Sequence, residues 1–226
     1  MNSYFTSTLF RKIIAALSGL FLVAFLIGHL VGNLQLFIPG LKGQTQFNQY
    51  AFFMTTNPVI KVLSLITYIS IILHVIITLF LVFQSRKSRP VQYAVSSGNN
   101  SSWSSRNMSV LGVLFLIFLV IHMKSFWYRM HFGDMPYQYL NDGSKIKDLY
   151  LITITAFKNP IYSLFYIFSM IVLGLHLKHG VESAIQTLGL KIRNYENIFK
   201  VFGNIIAFLI PAMFAIIPIY IYILQL

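Results

Sequence analysis

The stretch FLVAFLIGHLVGN, residues 21–33, sets a histidine inside an otherwise unbroken apolar run. A hydrocarbon interior offers a lone imidazole no water, so His29 marks a candidate functional site and calls for a partner. The apolar run extends from Arg11 and Lys12 to about Ile38. At about 1.5 Å per residue it is long enough to cross a ~30 Å hydrocarbon core. The opening MNSYFTSTLFRKIIAALSGLFLVAFL has the charged-then-apolar order of a signal peptide. However, the run continues, has no convincing small-x-small cleavage site and contains His29, which predicts a retained first helix.

The composition extends this reading to the whole chain. Of 226 residues, 57% are apolar and only 10% charged, and the mean hydropathy of +0.72 is that of an integral membrane protein. Net charge is +12, from 17 Lys and Arg against 5 Asp and Glu, with many positives between the apolar runs. Orientation by positive loops and attraction to anionic lipid account for that excess, and no basic-aromatic motif points to nucleic acid. Cysteine is absent, which excludes disulfides, thiolate zinc, iron–sulfur clusters and c-type haem attachment. A redox metal in this chain would have to be held by histidine or methionine.

Five runs are long enough to span, at about 12–38, 58–83, 109–130, 160–187 and 201–224, and they predict an all-α membrane bundle forming a single domain over 1–226. Pro58 and Pro160 are placed to open the second and fourth helices, where proline loses no helical hydrogen bond. Pro211 and Pro218 are expected to kink the fifth. Arg11, Lys12, Arg86, Lys87, Arg89, Arg106, Lys178, Lys191, Arg193 and Lys200 fall on one side. They outnumber Lys42, Lys61, Lys124, Arg129, Lys145, Lys147 and Lys158 on the other, which predicts a cytoplasmic N-terminus and an outer C-terminus. The loop SRKSRPVQYAVSSGNNSSWSSRN is polar and is expected to be flexible in its middle.

Four of the six histidines lie within spans, one in each of the first four helices. His29 falls ~25 Å along helix 1 from its inner end, and His122 ~20 Å along helix 3 from the same side. His74 and His176 each fall ~24 Å in from the outer ends of helices 2 and 4. The four therefore sort into two levels, His29 with His122 outside and His74 with His176 inside, some 10–15 Å apart. Two histidine pairs stacked across a membrane meet the need of two b-type haems, each taking one axial imidazole on either face. Gly28 and Gly32 beside His29, and Gly174 before His176, would let a porphyrin approach. The competing reading is helix–helix hydrogen bonding or a transporter pathway, but no Asp or Glu lies at mid-span to carry a proton or cation. His131, after the belt SFWYRM, and His179, beside Lys178, suit hydrated interfacial positions better than axial ligation.

These residues resemble the cytochrome b558-type membrane anchor of succinate:quinone oxidoreductases, the five-helix, two-haem class that includes related fumarate reductases. The resemblance is carried by RKIIAALSGLFLVAFLIGHLVGNLQLF around His29, SRNMSVLGVLFLIFLVIHMKSFWYRM around His122, the YAV element before it, and His74 and His176 in order. It implies His29 and His122 as axial ligands of a distal haem b, and His74 and His176 as those of a proximal one. It also implies an iron–sulfur subunit and a flavoprotein subunit with covalent FAD on the cytoplasmic face of a bacterial cytoplasmic membrane. Electrons from succinate would then reach a membrane quinone, with menaquinone expected in this class.

Near the inner haem's polar edge, Ser18, Arg106 and Lys178 are candidate propionate contacts, and Trp103 is placed to pack over that site; Arg129 and Lys124 are the outer counterparts. Some dihaem members handle quinone protons with a carboxylate in the outer helix 1–2 region, yet residues 39–57 contain none. Gln44, Gln46, Asn48 and Tyr50 would hydrogen-bond a quinone there without relaying protons well at neutral pH. Two alternatives stand beside this reading, a dihaem b subunit of a different membrane dehydrogenase and a haem-free polytopic transporter.

Overall fold

Two Asn-Pro pairs start two of the long helices. Asn57 accepts hydrogen bonds from the amides of Val59 (2.9 Å) and Ile60 (3.3 Å), and Asn159 accepts from Ile161 (3.0 Å) and Tyr162 (3.1 Å). Each asparagine satisfies donors that the first turn leaves free, and the following proline has no amide to satisfy. These caps fix where α3 (Pro58–Lys87) and α7 (Pro160–Thr187) begin.

The computed structural model describes residues 7–88, 103–190 and 196–224. In chain order α1 (Thr8–Asn33) passes through a 3-10 turn at Leu34–Phe37 into α2 (Gly40–Thr56) and α3. A single turn, α4 (Trp103–Arg106), precedes α5 (Met108–Phe132), whose helix widens into a π-type turn at Met123–Tyr128. A hairpin of β1 (Tyr137–Tyr139) and β2 (Lys145–Lys147) leads to α6 (Leu149–Phe157), then α7, and α8 (Glu196–Leu224) ends the chain.

Five helices are long and apolar enough to cross a membrane, at Thr8–Phe37, Pro58–Lys87, Met108–Phe132, Pro160–Thr187 and Asn197–Leu224. The chain is thus a multi-pass membrane protein built as an all-α bundle. The spans agree with the expected ones, and α8 remains helical through Pro211 and Pro218. The expected flexible loop centre, the YAV element, Arg89, Lys191 and Arg193 lie outside the described residues.

Helix α7 is the hub, packing along α8, α1 and α5, while α1 also packs along α3. Its Leu173 and Leu177 meet Ile206, Ile210 and Ile221 of α8 in one apolar core, with Ile221 fully buried. Gly174 serves this contact, because a Cβ there would stand 3.1 Å from the Ala207 carbonyl. The expectation that Gly174 clears room for a porphyrin is therefore replaced by a helix-packing role.

The segment 39–57, which lies between the first two expected spans, contains the helix α2. Its polar composition masks an apolar stripe of Gly43, Phe47 and Ala51, buried every fourth residue. Gly43 is required where α2 crosses the end of α1's 3-10 turn, since a Cβ would collide with the Ile38 carbonyl oxygen. Helix α2, the hairpin and α6 close one end of the bundle. In the hairpin Tyr137 pairs with Lys147, Gln138 with Ile146 and Tyr139 with Lys145. At its turn Asp142 accepts from the Ser144 hydroxyl and amide, which hold its carboxyl below the usual range.

Polar bonds join these pieces. Buried Asn48 donates to Gln138 (2.9 Å) and to Asp148 (2.7 Å) and accepts from the Tyr150 amide (2.9 Å). Asp148 also accepts from Gln44 and from the Leu151 amide, so it caps α6 while tying it to α2. Asp148→Ala strands the buried Asn48 amide and the half-buried Gln44 amide and is expected to destabilise the protein by about 3 kcal/mol. Denaturant unfolding in detergent checks this, and a loss under about 0.5 kcal/mol would contradict it.

Candidate functional site

Four helices surround the bundle interior in the order α3, α1, α7, α5. Close packing joins α3 to α1, α1 to α7 and α7 to α5, whereas α1 with α5, and α3 with α7, do not approach along their lengths. Those two unpacked diagonals carry the histidine pairs. His29 of α1 faces His122 of α5 with ring centroids 5.8 Å apart and planes crossed at 89°. His74 of α3 faces His176 of α7 at 6.5 Å and 72°. The pairing expected from helix depth alone is therefore the pairing in the fold.

The separations have chemical meaning. A metal bound by two imidazole nitrogens at about 2 Å each, with each nitrogen about 1.1 Å from its ring centre, holds the centroids about 6 Å apart. Both pairs lie close to that value. Among the described residues, no three His, Cys, Asp or Glu side chains converge as a set for a bare metal ion. Two imidazoles on opposite sides suit instead a metal that brings its own equatorial ligands, as a haem iron does.

Hydrogen bonding fixes the His74 tautomer. Its Nδ1 lies 3.1 Å from the Ala15 carbonyl, which only accepts, so Nδ1 carries the proton and Nε2 keeps its lone pair. Ser18 Oγ, 3.2 Å from the same Nδ1, itself donates to the Ile14 carbonyl at 2.8 Å. Gly19 lets the ring lie against α1, since a Cβ there would be 3.0 Å from His74 Cε1. On the other level, His122 Nδ1 is 3.1 Å from the Tyr166 hydroxyl, which is 3.0 Å from that of Tyr162. His176 Nδ1 is buried without a hydrogen-bond partner among the described residues.

Apolar rings line both levels. Phe25 stacks on His29 (5.4 Å) and Phe214 of α8 tilts against it (5.6 Å). Phe115 stacks on His176 (6.0 Å), while Phe118 and Phe126 flank His122. Along α1, Ser18 at the His74 level and His29 are eleven residues apart, or ~16 Å. Along α7, Tyr166 at the His122 level and His176 give ~15 Å. Two helices thus agree on the spacing, at or just above the upper end of the expected range.

The remaining candidates fall around this centre. Ser18 meets the His74 imidazole itself. Arg106 is exposed at the end of α4, Trp103 is exposed at its start, and exposed Lys178 lies about 200° around α7 from His176. Lys124, with Met123, Trp127 and Tyr128, lines an open groove of about 460 Å³. Arg129, near the end of α5, is exposed. His131 is exposed, donates to the Trp127 carbonyl at 2.8 Å and stacks on its indole, and half-buried His179 lies about one turn beyond His176. Gly28 adjoins open space, whereas Gly32 makes room for Tyr50, whose ring a Cβ would overlap. Gln44 and Asn48 are committed to Asp148, Gln46 is exposed, and burial raises the Tyr50 phenol above its ordinary value. Sequence reasoning passed over Gly19 and Tyr166. Gly19 lies 55 residues before His74 and so has no local signal, but Tyr162 and Tyr166 at i and i+4 share one face of their helix.

No family model matches the chain, and no curated protein or solved structure matches it either. The functional reading accordingly stands on the residues and their geometry.

One feature of the frame is testable without any ligand. Helices α3 and α5 do not pack along each other but are tied near one end by Trp127 Nε1 donating to Tyr68 Oη (2.7 Å), and near the other by Arg86 donating to Ser109 (3.3 Å). Trp127→Phe removes the stronger tie and is expected to cost about 1 kcal/mol, read as a lower thermal midpoint in detergent. An unchanged midpoint would contradict the tie.

Proposed function

We propose that the chain is the dihaem cytochrome b membrane anchor of a succinate:quinone oxidoreductase. The observation that carries this reading is the geometry of two crossed imidazole pairs, 5.8 and 6.5 Å apart, on the unpacked diagonals of one helix bundle. His29 and His122 would hold one b haem, and His74 and His176 the other. Bound there, each haem supplies one-electron oxidation and reduction, linking an iron–sulfur partner at one membrane face to quinone near the other.

The chain's own residues do the holding and insulating. Ala15 and Ser18 keep the proton of His74 on Nδ1, which leaves Nε2 as the ligand atom. Phe25, Phe115, Phe118, Phe126 and Phe214 exclude water from both levels. Tyr50, half-buried and packed on α1 one turn beyond His29, is a phenol hydrogen-bond donor suited to a quinone carbonyl. Reducing the quinone to quinol takes two electrons and two protons. The protons would enter from the outer side, because no carboxylate lies at mid-span to carry them through.

In this reading the N-terminus is cytoplasmic, in a bacterial inner membrane, and the His74–His176 level faces the iron–sulfur and flavoprotein subunits. Succinate oxidation would fall to FAD in the flavoprotein, and this chain would need no dicarboxylate site. Menaquinone is the expected acceptor.

Haem extraction from the purified chain tests the reading. About two b haems per chain are expected, and none would overturn it. His29→Ala or His122→Ala should remove one spectral component, and His74→Ala or His176→Ala the other; loss of the same component from both groups would break the pairing. Gly19→Val, which pushes on the His74 ring, should disturb the His74–His176 component and spare the other. Co-purification of a covalent-flavin subunit and an iron–sulfur subunit separates a succinate:quinone oxidoreductase from other dihaem cytochromes.

A further inference from the structure

The two histidine levels differ in what stands behind the ligand ring. His74 has a backbone carbonyl at 3.1 Å, whereas His122 has a phenol, the Tyr166 hydroxyl, also at 3.1 Å. Tyr166 is 6% exposed and is enclosed by Phe118, Phe157 and Phe126. Among the described residues its hydroxyl bonds only to His122 and to Tyr162 (3.0 Å).

We infer that Tyr166 is a positioning residue that fixes the tautomer of His122 and, with Tyr162 behind it, lowers the reduction potential of the group that His122 and His29 hold. The inference rests on the haem reading above and deepens it. If His122 gives the lone pair of Nε2 to a metal, its proton must be on Nδ1, so Nδ1 donates to the Tyr166 oxygen. The Tyr166 hydrogen is then free for one acceptor only, the Tyr162 oxygen. One chemical requirement at the metal thus sets the direction of the whole chain, from His122 to Tyr166 to Tyr162. Donation from Nδ1 makes the imidazole a more basic ligand and favours the oxidised, more positive metal. A hydroxyl that donates onward is a better acceptor, so Tyr162 strengthens the first bond.

Redox titration of the whole complex, resolving both b components, tests this on Tyr166→Phe and Tyr162→Phe. Tyr166→Phe keeps the ring packing and removes the acceptor. The expected result is two haems retained, the inner component unmoved, and the outer component easier to reduce by about fivefold, or about 40 mV at the one-electron constant. Tyr162→Phe should shift the same component in the same direction by less. The Tyr162→Phe shift alone supports the inference if Tyr166→Phe sheds the outer haem. Two haems present with neither potential moved in either variant would overturn the inference while leaving the haem reading intact. A wild-type complex without b haem would overturn both.

Discussion

An imidazole nitrogen inside an apolar bundle has no water to bond, and four such rings on four helices are the constraint around which this protein is arranged. Left unpartnered, each would cost more than a typical hydrogen bond contributes. The fold answers part of the need with protein groups, the Ala15 carbonyl and Ser18 for His74 and the Tyr166 phenol for His122. Both of these partners bond Nδ1. The proton that His74 must place there leaves Nε2 as a lone-pair donor directed by the same contact.

The helix packing follows the same constraint. Helices that touch in the bundle are α3 with α1, α1 with α7 and α7 with α5, so the histidine pairs sit on the diagonals that do not close. A bundle of this size would ordinarily bring opposed helices into contact through large side chains. Here the diagonals instead end in facing rings, and α3 buries only Thr67 along its length. It is held by packing on α1 and α2 and by two polar ties to α5. The facing imidazole pairs on those open diagonals are the physical basis for proposing haem between them.

Much of this was legible in the sequence, for identifiable reasons. Span length and hydropathy are one-dimensional quantities, so the five helices could be read directly, and Asn57-Pro58 and Asn159-Pro160 mark their own helix starts. Histidine depth is a residue count, which is why His29 with His122 and His74 with His176 could be paired before any coordinates. Contacts between distant segments were not legible. The helical stripe of α2 is hidden among Gln, Asn and Thr, and its anchor Asp148 lies about a hundred residues away in the chain. The absence of a carboxylate in 39–57 was read correctly, but Gln44 and Asn48 turn out to be engaged by one brought from elsewhere. Glycine roles were also displaced: Gly32 and Gly174 serve Tyr50 and α8, while Gly19, far from His74 in sequence, makes room for its ring.

We propose that a metal stands between each pair of imidazoles. Anomalous scattering at the iron absorption edge, measured on crystals of the intact protein, tests it most directly. Two iron peaks are expected, one between His29 and His122 and the other between His74 and His176, about 15 Å apart along the bundle. Iron absent from both positions, or a single iron joining histidines of different pairs, would contradict it.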